Sequence, residues 1–186
     1  MTKNDQKPRV IVDVDNILAD FAPIFHEELV KKCDKIPHFN YWDSWNFYRA
    51  FINEKDFYNA AHAAQMRITE TGTIAGAGKL LKFLNEHAHV TVASHRRSES
   101  QDSLVAWMRK HCFKYDDLHI SYDKTQLFKQ NFVLLIDDSP DNMRSAMENG
   151  LKAASIRCPW NECMDGTGAF IGNTMDDVVD YVKSVI

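Results

Sequence analysis

Two carboxylates, Asp13 and Asp15, stand at the end of an apolar run in "RVIVDVDNILADF". Residues 9–14 have the β-branched character of a strand covered on both faces. A spacing of two points both side chains to the same face of a strand. Paired carboxylates in an apolar setting repel each other and lose hydration, so something nearby must offset them. Three other polar clusters follow apolar runs. Ser94-His95-Arg96-Arg97 follows "HVTVA", Lys124 lies just past "LHIS", and Asp137-Asp138-Ser139-Pro140-Asp141 follows "FVLLI". If those runs are strands of one parallel sheet, their ends share one edge. Several carboxylates, a hydroxyl and a lysine would then converge there. A divalent cation that prefers oxygen ligands, such as Mg²⁺, would offset the clustered charge. The lysine and hydroxyl would donate to an anion bridging to that metal, and phosphate is the anion such sites most often handle.

The elements needed to position these residues are legible in outline. Strand-like runs lie at 9–14, 89–93, 118–121, 132–136 and 152–156. Helical patterns lie at 76–87, 98–112 and 140–149, and a last helix at 174–185 follows Asn173, a plausible cap. Strands alternating with helices imply an α/β fold, a Rossmann-like parallel sheet with helices on both faces. Residues 22–74 break that rhythm. They read as helices at 24–33, 45–52 and 54–66 and are dense in aromatics, from Phe39 to Tyr58. The predicted organisation is an α/β core of 1–21 and 75–186, with 22–74 a small helical cap inserted after the first strand. Such an insertion would overhang the strand ends where open α/β sheets bind ligands.

Composition narrows the class. The chain has 186 residues, 45% hydrophobic and 26% charged, with a formal net charge of −4. That is an ordinary globular composition, with no basic face for stable nucleic-acid binding. No apolar run approaches the roughly 20 residues that span a bilayer. The opening "MTKNDQKP" is polar and does not read as a signal peptide, so a cytoplasmic location is expected. Cysteines 33, 112, 158 and 163 complete no zinc pattern and read as reduced thiols.

Taken together and in order, "DVDNILADF", "TVASHR", "YDKTQ" and "LLIDDSPDN" resemble the four motifs of the haloacid dehalogenase-like superfamily. Within it, "ILADF", "DKT" and "LLIDD" look like the 5′(3′)-deoxyribonucleotidases, and "SIRCPWNE" resembles a loop found in relatives. The resemblance implies a role for each matching residue. Asp13 would be the nucleophile and Asp15 the general acid/base. Ser94 and Lys124 would bind phosphate. Asp137, the Asp13 carboxylate and the Asp15 backbone carbonyl would hold Mg²⁺, with Asp138 in support. Phe21 matches an aromatic of the nucleotidase pocket. Trp45 and Phe47 would flank the base with it, and Arg96 would reach a second part of the substrate. One departure stands out: relatives usually carry glycine where this chain has Asn16. Asn tolerates a left-handed backbone, but its side chain would sit near the phosphate.

Plainer readings stand beside these. The aromatics of 39–58 also suit the insertion's own core, Arg96 and Arg97 suit surface charges, and Ser139 before Pro140 suits a helix N-cap. Gly76 and Gly78 read as a helix start rather than a dinucleotide loop. The histidines show no ligand spacing. The expected activity is Mg²⁺-dependent hydrolysis of a small-molecule phosphomonoester, a (deoxy)nucleoside monophosphate, through an aspartyl-phosphate. Alternatives are a phosphatase for another small phosphoester or for a nucleic-acid 3′-phosphate end, and a non-catalytic nucleotide-binding module.

Overall fold

The computed structural model describes residues 7–186, so most of the polar opening stretch lies outside the described residues. Six strands, β1 (Arg9–Val12), β2 (His89–Ser94), β3 (Asp117–Ile120), β4 (Phe132–Ile136), β5 (Lys152–Ile156) and β6 (Phe170–Gly172), form one sheet. All pairings are parallel, in the order β3-β2-β1-β4-β5-β6. Helices α1 (Ala22–Val30) and α2 (Glu54–Met66) precede α3 (Ala77–His87), α4 (Gln101–Lys110), α5 (Thr125–Phe128), α6 (Pro140–Glu148) and α7 (Met175–Val185).

β1 shows why its sequence is a continuous apolar run. Val10 and Val12 pack in a cluster with Leu80 and Leu84 of α3, Trp107 of α4 and Val178 of α7. Ile11, pointing the other way, packs with Phe128 of α5 and Ala146 of α6. Both faces of the strand are covered, so neither set of alternate residues is free to be polar. The strand order reverses at the β1–β4 pair, which opens a crevice beyond their C-terminal ends. Asp13 and Asp137 are the residues that immediately follow those two strands.

The stretch between β1 and α3 is helical and contains no strand. It holds α1, α2 and short 3₁₀ turns at Phe39–Tyr41, Phe47–Ala50 and Ile68–Glu70. It has its own apolar cluster, in which Phe25, Leu29, Trp42, Ala60 and Ala64 pack together with Phe21 and Trp160. Its two ends meet at a narrow neck. The Asp20 amide donates to the Gly72 carbonyl at 3.1 Å, and the Ile74 amide to the Leu18 carbonyl at 2.9 Å.

Several expectations need correction. β6 has three residues, too short for a period to register, and was not expected. The predicted helix over 45–52 is only a 3₁₀ turn, because adjacent aromatics both pack inward. Phe47 stacks on Trp42 at 4.4 Å and Tyr48 on Phe57 at 3.9 Å, so neighbouring side chains engage two different aromatic partners rather than one helical stripe. The 98–112 helix begins as a 3₁₀ turn at Ser98–Ser100. Thr174, not Asn173, caps α7: its side chain accepts from the Asp177 amide at 3.2 Å, and Asp177 accepts from the Thr174 amide at 2.8 Å. The other caps follow the sequence. Ser139 caps α6 with Pro140 at its first position. Gly76 opens α3 at φ +88, where an added Cβ would meet Met175 at 2.8 Å. Cysteines 33, 112, 158 and 163 are free, and no helix among the described residues is long and apolar enough to cross a membrane.

Candidate active site

Backbone hydrogen bonds carry the sheet one residue past its strands. The Asp13 amide donates to Ile136 at 2.8 Å and the Asp137 amide to Ala154 at 3.1 Å, so both carboxylates project from fixed points. Lys124, which precedes α5, lies between them. Its Nζ is 2.6 Å from Asp13 Oδ1 and 2.8 Å from Asp137 Oδ2. Asp137 also accepts from the Ser139 amide at 2.9 Å and, through both oxygens, from Asn142 Nδ2 at 3.1 and 3.0 Å. Asp138 Oδ2 accepts from Asn16 Nδ2 at 2.9 Å and from Trp160 Nε1 at 3.1 Å.

Asp13, Asp137 and Asp138 are all buried, and one oxygen from each lies within 4.8 Å of the others. Among the described residues, Lys124 is the one ammonium hydrogen-bonded within this group, to Asp13 and Asp137. Burial pushes Asp13 up to about 7, against the pull of Lys124 and helped by the neighbouring Asp137 and Asp15. Asp138 is likewise pushed well up, by burial first and then by Asp13 and Asp137. Burial draws Lys124 down, but attraction to Asp13 and Asp137 outweighs it and holds the ammonium charged. A buried oxygen-only donor set short of positive charge fits a hard divalent cation such as Mg²⁺.

The Asp15 carboxylate stands apart from that trio. Its Oδ1 accepts from Arg96 Nη2 at 2.8 Å and its Oδ2 from Gln65 Nε2 at 3.2 Å. Arg96 Nε donates to Ser94 Oγ at 2.6 Å. Gln65, on α2, also donates to the His95 carbonyl at 3.0 Å, just past β2.

Above the acids lies a cavity of about 290 Å³. Asp13, Asp15, Lys124, Asp137 and Asp138 line one part of it. Nine aromatics dominate the rest: Phe21, Phe25, Trp42, Trp45, Phe47, Phe57, Tyr58, Tyr122 and Trp160. Phe21 is only 4% exposed and packs within the apolar cluster, while Trp45 and Phe47 are half-buried at its margin. Tyr58 stacks on His95 at 5.9 Å, and burial lowers the pKa of that imidazole, as does Lys124.

The structure therefore gathers eight of the ten sequence-selected side chains around one cavity. Ser94 and Arg96 are fully buried and do not line it; they are bound to each other, and Arg96 to Asp15. A surface role for Arg96 is excluded by its 1% exposure. Sequence reading missed Gln65, Asn142, Phe25 and Tyr122. Trp160 lay in the quoted "SIRCPWNE" but carried no role. The αL geometry allowed for Asn16 is present, at φ 60.

No family model matches the chain, and no curated protein matches it significantly. Solved structures do. The chain is similar to a haloacid dehalogenase-like hydrolase of Streptococcus pneumoniae, with 13% identity and a TM-score of 0.68 over 95% of this chain and 98% of that one. A phosphonoacetaldehyde hydrolase-like protein of Oleispira antarctica matches with 12% identity and a TM-score of 0.68, over 100% of this chain and 96% of that one. A HAD-hydrolase of Bacillus subtilis, bound to magnesium, matches with 14% identity and a TM-score of 0.63, over 96% of this chain and 100% of that one. The chain thus has the fold of haloacid dehalogenase-like hydrolases, a Rossmann-type α/β architecture.

Proposed function

We propose that the protein is a Mg²⁺-dependent phosphomonoesterase that hydrolyses (deoxy)nucleoside monophosphates. The observation that carries this reading is the Asp13–Lys124–Asp137 group at the strand-order reversal, beneath a largely aromatic cavity. The magnesium-bound neighbour of the same fold is in keeping with it. Asp13, Asp137 and Asp138, with the Asp15 carbonyl, would hold the ion. When bound it supplies positive charge that draws the phosphoryl oxygens in and offsets charge on them.

The chain's own groups account for the remaining steps. Lys124 holds Asp13 Oδ1, which leaves Oδ2 as the attacking oxygen. Its bond to phosphorus forms as the ester oxygen leaves, and Asp15 gives that oxygen a proton. Asp15 then takes a proton from water as the water attacks the aspartyl-phosphate, returning the Asp13 carboxylate and free phosphate. Ser94 does not line the cavity in this arrangement, so donation to phosphate rests on Lys124.

The leaving group is read from the upper part of the cavity. Lys124 is the only Lys or Arg among the described lining residues, and it is already paired with two carboxylates. A second anionic group on the substrate would find no further lysine or arginine among the described lining residues. Flat aromatic walls suit a neutral base instead. This favours a mononucleotide over bisphosphates, small phospho-acids or an oligonucleotide 3′ end. Phosphate release should be measured in Mg²⁺ across nucleoside monophosphates, sugar phosphates, phospho-acids and 3′-phosphorylated oligonucleotides. Fastest turnover of the mononucleotides is expected. Preference for a dianionic leaving group would overturn the substrate assignment, and no release from any of them would overturn the activity.

A further inference from the structure

Gln65 is the one residue of α2 that hydrogen-bonds both to a candidate catalytic carboxylate and to the end of a core strand. It is 5% exposed, and a buried amide must find hydrogen-bond partners. Its Nε2 donates to Asp15 Oδ2 at 3.2 Å and to the His95 carbonyl at 3.0 Å. Arg96, from the loop after β2, holds the other Asp15 oxygen at 2.8 Å. The carboxylate is thereby gripped from two sides, by a core residue and by a residue of the helical segment. Arg96 is itself fixed, since its Nε donates to Ser94 at 2.6 Å within the core. Gln65 is held to the core by its bond to the His95 carbonyl, but its backbone belongs to α2, so its position depends on how α2 sits over the strand ends. One turn earlier on the same face of α2, Ala61 lines the cavity, and one turn before that Tyr58 stacks on His95. α2 thus meets His95 at two points seven residues apart, through Tyr58 and Gln65.

We infer that Gln65 is a positioning residue through which the seating of the helical segment sets the orientation of Asp15. The inference rests on the proposed function, in which Asp15 transfers a proton to the leaving oxygen. With α2 seated, the two donors restrict Asp15 to one rotamer. With α2 lifted, only Arg96 holds it and the carboxylate is free to turn. Proton transfer depends steeply on such placement. The helical segment then does more than enclose the substrate: it completes the acid/base.

The test separates proton transfer from packing. Gln65→Met keeps the bulk and removes the donor; Gln65→Glu keeps the shape and replaces the donor by an acceptor. Each would be assayed on substituted phenyl phosphates, alike in shape but graded in the basicity of the phenolate they release. The measure is kcat/KM, which covers events up to leaving-group departure and not the later hydrolysis. A phenolate that leaves readily needs no proton, whereas a basic one does. The expected result is a loss of ~10- to 100-fold on the most basic leaving group and less than about threefold on the least basic, for both variants. A uniform loss across the series would show a packing role and overturn the inference while leaving the proposed function standing. Wild-type rates in both variants would overturn it equally. Wild-type protein inert towards every phosphomonoester would overturn the proposed function, and the inference with it. Melting temperatures of the variants identify any uniform loss that comes from misfolding.

Discussion

Asn16 donates its side-chain amide to Asp138 Oδ2 at 2.9 Å, tying the loop after β1 to the residue that follows Asp137. The same side chain accepts from the Ala22 amide at 2.9 Å, at the first turn of α1. Asn16 therefore links the acidic cluster to the helical segment, and it does so from a backbone φ of 60. Asn16→Gly and Asn16→Ala both remove these bonds, but alanine also meets the cost of a left-handed backbone. The alanine variant is expected to be less stable than the glycine variant by about 1–2 kcal/mol, read by chemical denaturation. Equal stabilities would mean that the loop relaxes out of its left-handed turn.

Metal binding should be visible as a pH-dependent gain in stability. The Asp13 carboxyl has a folded-state pKa of about 7 against an ordinary 3.8, so the folded state holds this proton more tightly than the unfolded chain. Below about pH 4 the group is protonated in both states and costs nothing. As pH rises through the window to about 7, stability falls, by up to roughly 4 kcal/mol from this group alone. A divalent cation offsets the buried negative charge and competes with the proton. Mg²⁺ should therefore raise the melting temperature more at pH 8 than at pH 5, and an equal or larger rise at pH 5 would contradict the site.

The two aspartates should fail in different ways. Asp13→Asn removes the attacking oxygen and should leave neither turnover nor a trapped phosphoenzyme. Asp15→Asn keeps the nucleophile, and its turnover should fall by ~10²- to 10⁴-fold, most severely on substrates with basic leaving groups. Mass spectrometry after rapid quenching distinguishes the two. Near wild-type rates in Asp13→Asn would rule out the covalent route.

The aromatic positions also divide. Phe21 is buried in the apolar cluster, so Phe21→Ala should lower stability by about 3–5 kcal/mol and impair every substrate alike. Trp45 is half-buried at the cavity margin. Trp45→Ala should raise KM for nucleoside monophosphates by ~5- to 150-fold, the worth of a stacked base, and change that for phenyl phosphate much less. A melting temperature lowered as far as in Phe21→Ala would assign Trp45 to the core instead.

Much of this was legible because both signals are local. Strands buried on two faces, such as β1 and β4, must be apolar throughout, and a polar residue at their ends then stands out as Asp13 and Asp137 do. Lys124 was found by its place after an apolar run. What escaped has no local signature. Gln65 is an ordinary helix residue until α2 is laid over Asp15, and Asn142 is an ordinary first-turn residue until α6 points it at Asp137. Arg96 looked like one of two loop arginines; only the fold buries it while leaving Arg97 half-exposed. The false helix over 45–52 arose because aromatic density says that a segment is buried without saying at what period.

The neck at which Asp20 meets Gly72 and Leu18 meets Ile74 has a topological consequence. A chain excursion that leaves and rejoins at one spot transmits no strain to the strands on either side. The sheet encounters it as a short connection, whatever its length. Lengthening such a closed excursion costs little entropy, about 0.6 kcal/mol for each doubling of a flexible loop. Above the neck, residues can be exchanged wholesale while β1 and β2 keep their register. A chimera that grafts another helical segment between Leu18 and Ile74 would retain the acidic floor and acquire new walls, and it would hold Asp15 as this chain does only if the graft carried a donor at the place of Gln65.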